Sequence, residues 1–552
     1  MKKIAAALAV LVFDSPARAA WGSAKADFDA SAEEAAFAAA TQLFTETGRD
    51  KLAVVQFLES FISQFPKSPR VLDAEFMVGE AYLQHALSIL KAEAAAKRTS
   101  SARLLAPKNP AAAKALSDAQ KAFAAASEDK NSGLGPSAQY RLGEAAYNDK
   151  DWEKAVSEFK EVERRHPKAY INPEALMGII YADLALEQFS QAEANLFLLG
   201  ETFPTFLKEP TVLYAQGIVA LHRGDYPNAE RALKSVKSAE AQYYLGKTYL
   251  LSRRAYLAAA AFENLIRDYP ESDLKEEAQF FIGDSFFLAE DFNGAISKYQ
   301  KFISLYPESP LRVSALFRIG SSYFQKKDYM EARANFQAVL DRYPKDFFAP
   351  LAQFFIAESH LISKQTREAL FAFTKVITQH PDAVKIAPLA FFKLSWCQYQ
   401  VGDYMQAIQT GNNFTAQYPN HVLAKNVYLI MGNAQLALKR YSEATTSFQR
   451  IIDLAPSSDI AEQALFSILK SQYDQKAFNS ILTSYQFIFR HLPPSKSKWR
   501  SISYLYAAEA YLALNQVDEA KVIYEMILKV YPDDPAAFYA QDGLAWCYAY
   551  RG

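Results

Sequence analysis

Charge of one sign is missing from this chain: 60 Lys and Arg residues stand against 61 Asp and Glu, a formal net charge of −1. No long-range field favours a nucleic-acid backbone, so nucleic acid is not an expected partner. Long apolar runs are missing too. No stretch approaches the roughly 20 consecutive apolar residues that a bilayer-spanning helix requires. Two cysteines are too few for a disulfide framework. Metal-binding and catalytic motifs are also absent: there is no H-E-x-x-H, no paired C-x-x-C, no G-x-S-x-G, no Walker loop and no G-x-G-x-x-G. The seven histidines are scattered, and His85, His222, His360, His421 and His491 show no metal-ligand spacing. Neither catalysis, nor a metal, nor a cofactor is expected.

What the chain has is self-similarity. Segments 241–270, 278–307 and 315–344 align without a gap, at an interval of 37 residues (283 − 246 = 37). In each, Gly246, Gly283 or Gly320 is followed three residues on by Tyr249, Phe286 or Tyr323. Then come Ala258, Ala295 and Ala332, next Phe262, Tyr299 and Phe336, and last Pro270, Pro307 and Pro344. Apolar residues at i, i+3, i+4 and i+7 give each of two helices one buried stripe. Small residues mark where the helices approach closely, and aromatics fill the space between layers. The proline ends the second helix, because it lacks an N–H and biases the preceding residue away from helical geometry. His166 and His380 stand where other units carry tyrosine before that proline, and read as packing substitutes.

These positions resemble the tetratricopeptide repeat family, and the Tyr-Pro-x-Ser link resembles the variant in bacterial envelope proteins of the BamD and YbgF (CpoB) types. The marks recur at Gly143, Ala155, Phe159 and Pro167, at Ala357, Ala369, Phe373 and Pro381, and at Gly432, Ala444, Phe448 and Pro456. They appear again at Ala508, Ala520, Tyr524 and Pro532, with degenerate copies between. The resemblance implies an all-α fold, a right-handed α-solenoid of about twelve helix-turn-helix repeats in which each repeat contacts only its neighbours. Cys397 and Cys547 fall on first helices several repeats apart. Stacked helices advance by roughly 8–10 Å per layer and a disulfide needs Cα atoms within about 7 Å. The two are therefore buried small residues or ends of an intermolecular bridge.

Residues 1–19 read as a signal peptide, with Lys2 and Lys3 before an apolar run from Ile4 to Phe13 and small residues at Ala17-Arg18-Ala19. No cysteine lies near that site to be acylated, so the chain departs from lipid-anchored BamD. The expected location is the periplasm, with a peripheral place at the outer membrane as the alternative. Residues 20–82 read as N-terminal repeat-like helices, and 135–552 as a solenoid ending in a C-terminal helix.

Between them, 83–134 breaks the repeat and reads as an extended, basic, Ala-rich helical hairpin standing out from the solenoid. Its cations Lys91, Lys97, Arg98, Arg103, Lys108, Lys114 and Lys121 make it a docking arm or a solvated one. A second series, Tyr140, Tyr243, Phe280, Phe317, Phe354 and Phe392, lies three residues before the small mark. First helices line the concave surface in this family, so the series is an aromatic ladder in a groove or part of the core. Acidic residues just after the mark, among them Glu144, Asp284, Glu358 and Glu509, are a solvated face or a site for a basic partner. The last helix is apolar around Phe538, Tyr539 and Trp546, where solenoid ends normally turn polar. A second copy or a partner covers it, with Trp546 as the contact, or it folds onto the preceding repeat.

The expected function is a non-catalytic periplasmic scaffold that docks an envelope protein or peptide segment in its concave groove, in cell-envelope or outer-membrane protein assembly. Scaffolds of exopolysaccharide, pilus or flagellar export, and a peptidoglycan-acting enzyme, are the alternatives. The enzyme would need a catalytic region for which the repeats leave no room.

Overall fold

A computed structural model describes residues 32–46, 50–96, 109–128, 134–456, 458–491 and 497–551. Among them are 27 α-helices, one 3-10 helix and no strand. The α-helices form thirteen successive pairs and one last helix, Pro535–Arg551. The chain divides between Ala315 and Leu316 into two compact units.

Close approach of the two helices of a repeat is what the glycine marks provide. In the first unit a Cβ on Gly143 would lie 2.6 Å from the Phe159 ring, and one on Gly178 of the next repeat would lie 2.6 Å from the other side of the same ring. One phenyl group is thus clamped by two glycines and ties two repeats together. In the second unit Phe336 fills the space over Gly320, and Phe448 that over Gly432. Ala155, Ala258, Ala332 and Ala444 are fully buried at the partner positions. Bulk at either place would force helices apart that are packed at interior density.

The repeat is punctuated at both ends. Tyr269, Tyr306, Tyr343 and His380 sit at φ near −130° and ψ between 54° and 67°, or in Tyr343 at −136° and 53°, outside the helical region and each before its proline. The turn inside the repeat is made differently. Lys150, Arg253, Glu290, Lys327, Lys364 and Lys439 adopt the left-handed conformation, with φ between 58° and 64°. After Glu290 the Asp291 N–H reaches back to the Phe286 carbonyl at 3.1 Å, closing the first helix, and the Asp291 carboxylate accepts from the Gly294 N–H to open the second. That left-handed position carries no glycine in most repeats, so it leaves little trace in the sequence.

Within 83–134 the described part lengthens a helix pair beyond the 14 residues usual elsewhere, and much of its second helix is repeat core. Val71–Ala96 is a first helix of 26 residues, and Pro110–Ser127 is its second helix, capped by Asn109 with Pro110 in the first turn. Phe123 fills the space over Gly79, 2.7 Å from where a Cβ would sit, and stacks edge-on against Phe76. Ala115, Leu116, Ala119 and Phe123 share a core with Leu83, Ala138 and Leu142. Lys91, Lys114 and Lys121 are exposed, Lys121 paired with Asp118. Lys97, Arg98, Arg103 and Lys108 lie outside the described residues, as do residues 1–19.

Candidate functional site

The aromatic ladder is core at its buried rungs. Tyr140, Tyr243, Phe280 and Phe317 are buried, and Phe354 and Phe392 half-buried. Each of the first five leans on the aromatic of its own second helix: Tyr140 on Phe159 at 5.5 Å between ring centres, Tyr243 on Phe262 at 6.0 Å, Phe280 on Tyr299 at 5.6 Å. Phe317 meets Phe336 at 5.3 Å and Phe354 meets Phe373 at 5.6 Å. Side chains that point between two helices cannot also line an open groove. In the first unit one first helix leaves almost no surface: along Asn172–Ala185 only Glu174 is not buried. Burial raises the pKa of that carboxyl.

The acidic row is occupied from within the chain. Tyr299 donates to Asp284 at 2.5 Å and Tyr524 to Glu509 at 2.7 Å. Lys393 pairs with Glu358 at 3.1 Å, and Arg141 lies between Glu80 and Glu144 at 2.6 and 2.5 Å. These contacts staple helices together, so the carboxylates are neither merely solvated nor waiting for a basic ligand. A further pair, Arg500 with Glu462, is buried and joins first helices of successive repeats. Burial opposes the charge on Arg500, yet the hydrogen bonds to Glu462 hold its pKa above the ordinary value.

Cys397 and Cys547 are buried free thiols. Burial pushes the Cys397 thiol up to about 12, which leaves it an inert packing residue. Neither reaches the surface to bridge two molecules. No group of three or more His, Cys, Asp or Glu side chains among the described residues is placed to hold a metal, and no helix among them is long and apolar enough to cross a membrane.

Exposed chemistry lies elsewhere. On Pro535–Arg551 one face is buried through Ala536, Ala540 and Cys547, and Gly543 lets Tyr524 approach to 2.3 Å of where a Cβ would be. The other face presents Phe538, Tyr539, Trp546 and Tyr548, with Trp546 67% exposed. Folding onto the preceding repeat therefore covers half the helix and leaves the aromatic half open. Lys521 stands over the Tyr548 ring at 4.5 Å.

Two clefts open between successive second helices, and sequence reasoning missed both. One, of about 450 Å³, lies between Phe189–Thr202 and Tyr226–Lys234, with Phe197 on its wall. The other, of about 470 Å³, lies between Tyr329–Arg342 and Thr366–Gln379, with Phe371 on its wall. A signal existed. Seven residues before the closing proline, Phe197 is apolar where Glu263, Gln300, Gln337 and Asn412 are polar.

Residues 134–242 match the family model YfiO, described as an outer membrane lipoprotein. Residues 240–272, 277–309, 314–346, 389–421, 426–458 and 503–534 each match a tetratricopeptide repeat model. Among curated proteins none matches the chain. Among solved structures, a tetratricopeptide repeat protein from Parabacteroides merdae ATCC 43184 is 15% identical over 50% of this chain and 98% of its own, with a TM-score of 0.30. The Cut9–Hcn1 hetero-tetramer of the APC/C gives 14% identity over 94% and 96%, with a TM-score of 0.30. YrrB, a TPR protein with an unusual peptide-binding site, gives 18% over 37% and 98%, with a TM-score of 0.29. By its six repeat matches and the paired, glycine-marked helices that carry them, the chain is a tetratricopeptide-repeat α-solenoid, similar over residues 134–242 to an outer membrane lipoprotein family.

Proposed function

We propose that the protein is a non-catalytic scaffold of the bacterial envelope, acting in the periplasm in outer-membrane protein assembly by holding protein partners on its exposed faces. The observation that carries this reading is the continuity of tetratricopeptide repeats with a segment similar to an outer membrane lipoprotein family. A repeat stack offers extended surface in place of a catalytic pocket. With the ladder rungs buried, docking shifts from a concave groove to surfaces that remain open. The aromatic face of Pro535–Arg551 is the first of these, since large aromatics that stay in water serve as anchors when a partner covers them. Its occupant is a second copy or an envelope protein.

Photo-crosslinking from position 546 in intact envelopes, read by mass spectrometry, tests this. The expected result is a small set of envelope proteins, or the chain itself, lost in Trp546→Glu. A wild type that crosslinks to nothing above background and clears peptidoglycan in a zymogram would replace the scaffold by an enzyme.

A further inference from the structure

We propose that the cleft at Phe197 binds a short lysine- or arginine-rich segment of a partner polypeptide; this rests on the reading of the protein as a docking scaffold and gives one docking site its chemistry. Three local departures from the repeat build the cleft. Gly200 stands four residues before the closing proline, where other repeats carry Ile266, Leu340, Ile377 and Ile452. The 3-10 turn Pro204–Lys208 follows, and its Leu207 methyl group comes to 3.4 Å of where a Gly200 Cβ would be. The next second helix, Tyr226–Lys234, has 9 residues where Phe189–Thr202 and Ala255–Asp268 have 14, so it stops short of covering the opening.

The lining has the chemistry of a cation site with an apolar floor. Leu196, Leu207 and Val219 form apolar wall, and Phe197 is 72% exposed. No ring or cation stands against Phe197 among the described residues. Glu193, Glu201 and Asp225 face one cation, Arg223, which is already paired with Glu193. Glu193 holds Arg223 and Asp225 caps the next helix by accepting from Asn228, so Glu201 is the carboxylate left beside the open aromatic face to attract an ammonium or guanidinium group. The aliphatic stem of that side chain, or an apolar neighbour, suits the floor. An anionic occupant would be repelled, and a wholly apolar one would strip water from carboxylates without replacing it.

The test uses the full-length protein and fluorescence anisotropy with a labelled peptide of alternating leucine and lysine, a leucine–glutamate counterpart, and spermidine as competitor. The leucine–lysine peptide should bind, and raising salt from about 0.05 M to about 0.5 M should weaken it. Phe197→Ser and Glu201→Lys should each weaken binding by about tenfold or more while melting like the wild type, since both side chains are exposed. Equal binding of the leucine–glutamate peptide, spermidine competing as well as unlabelled peptide, or unchanged affinity in both variants overturns the proposal. Unchanged affinity in the variants with persistent crosslinks at position 546 rejects the cleft alone. Peptide binding without any crosslinked partner rejects the scaffold and leaves the cleft.

Discussion

The clefts at Phe197 and Phe371 occupy the same place in the repeat, between one second helix and the next, and have similar volumes of about 450 and 470 Å³. Their chemistry is opposite. The first is rimmed by Glu193, Glu201 and Asp225 against a single Arg223, and its aromatic ring is open. The second carries Arg367 and Lys375 against Glu368, and Lys375 already stands 4.6 Å from the centre of the Phe371 ring. Repeat packing places both openings between second helices, and at Phe197 the Gly200 position, the 3-10 turn and the 9-residue helix Tyr226–Lys234 keep the opening uncovered. The few side chains that packing leaves free decide what the cleft attracts. A repeat stack can keep its core constant while the exposed positions differ from one cleft to the next.

Emptying a core position that both clefts leave untouched should have the largest effect. Phe123→Ala empties the space over Gly79 in a repeat that also carries the long first helix, and should cost about 3–5 kcal/mol, read by chemical denaturation. A variant as stable as the wild type would return residues 110–127 to a free arm. Next, Gly283→Leu drives a side chain into the Tyr299 ring, 2.5 Å from the added Cβ, and should cost about 1–3 kcal/mol or more. Gly200→Ala, whose Cβ meets only ordinary contact at 3.4 Å, should instead be neutral or stabilising by up to about 1 kcal/mol. If both glycines respond alike in thermal melting, the distinction between a packing glycine and a cleft glycine fails.

Exchanging the charge sharpens the comparison without touching the core. Arg367→Glu with Lys375→Glu frees the Phe371 ring and reverses the rim. Calorimetry should then count two sites for the leucine–lysine peptide in place of one, the new one weaker. An unchanged count would mean that rim charge is not what selects the ligand.

The smallest effect concerns the short helix beside the first cleft. Glu230 on that helix is held down to about 2, chiefly by the hydrogen bond from Lys234 at 2.6 Å, with Arg254 and Tyr249 adding theirs at 2.7 and 2.9 Å. A depressed carboxyl pKa contributes stability that is present above the unfolded value of 4.5 and lost as pH falls toward 2. Glu230→Gln should therefore melt slightly below the wild type at pH 7, by no more than about 1 kcal/mol for so solvated a group. The two should converge as pH falls toward 2. A gap that persists at low pH would show that the ion pairs are not its cause.

Periodic features were legible in the residues. Gly, Ala, aromatic and Pro marks recur because each answers a steric demand that every repeat makes, and the Tyr-Pro ends fall where the backbone leaves helical geometry. Two features could not be placed from the residues alone, for physical reasons. Ala-rich sequence at 110–127 suggests an exposed helix, but alanine is also the residue that lets Pro110–Ser127 lie close to Val71–Ala96. Aromatics on first helices fit a groove or a core equally well in one dimension, and only the rotation of the helix about its axis separates the two.

The sequence by itself determined the helical pairs, their ends and the all-α solenoid, because those follow from local propensity and from contacts between neighbours about one repeat apart. Only the tertiary structure decided which faces stay open. Exposure of Phe197 depends on how far the next second helix extends and how closely it packs, a sum over several helices that no single position carries.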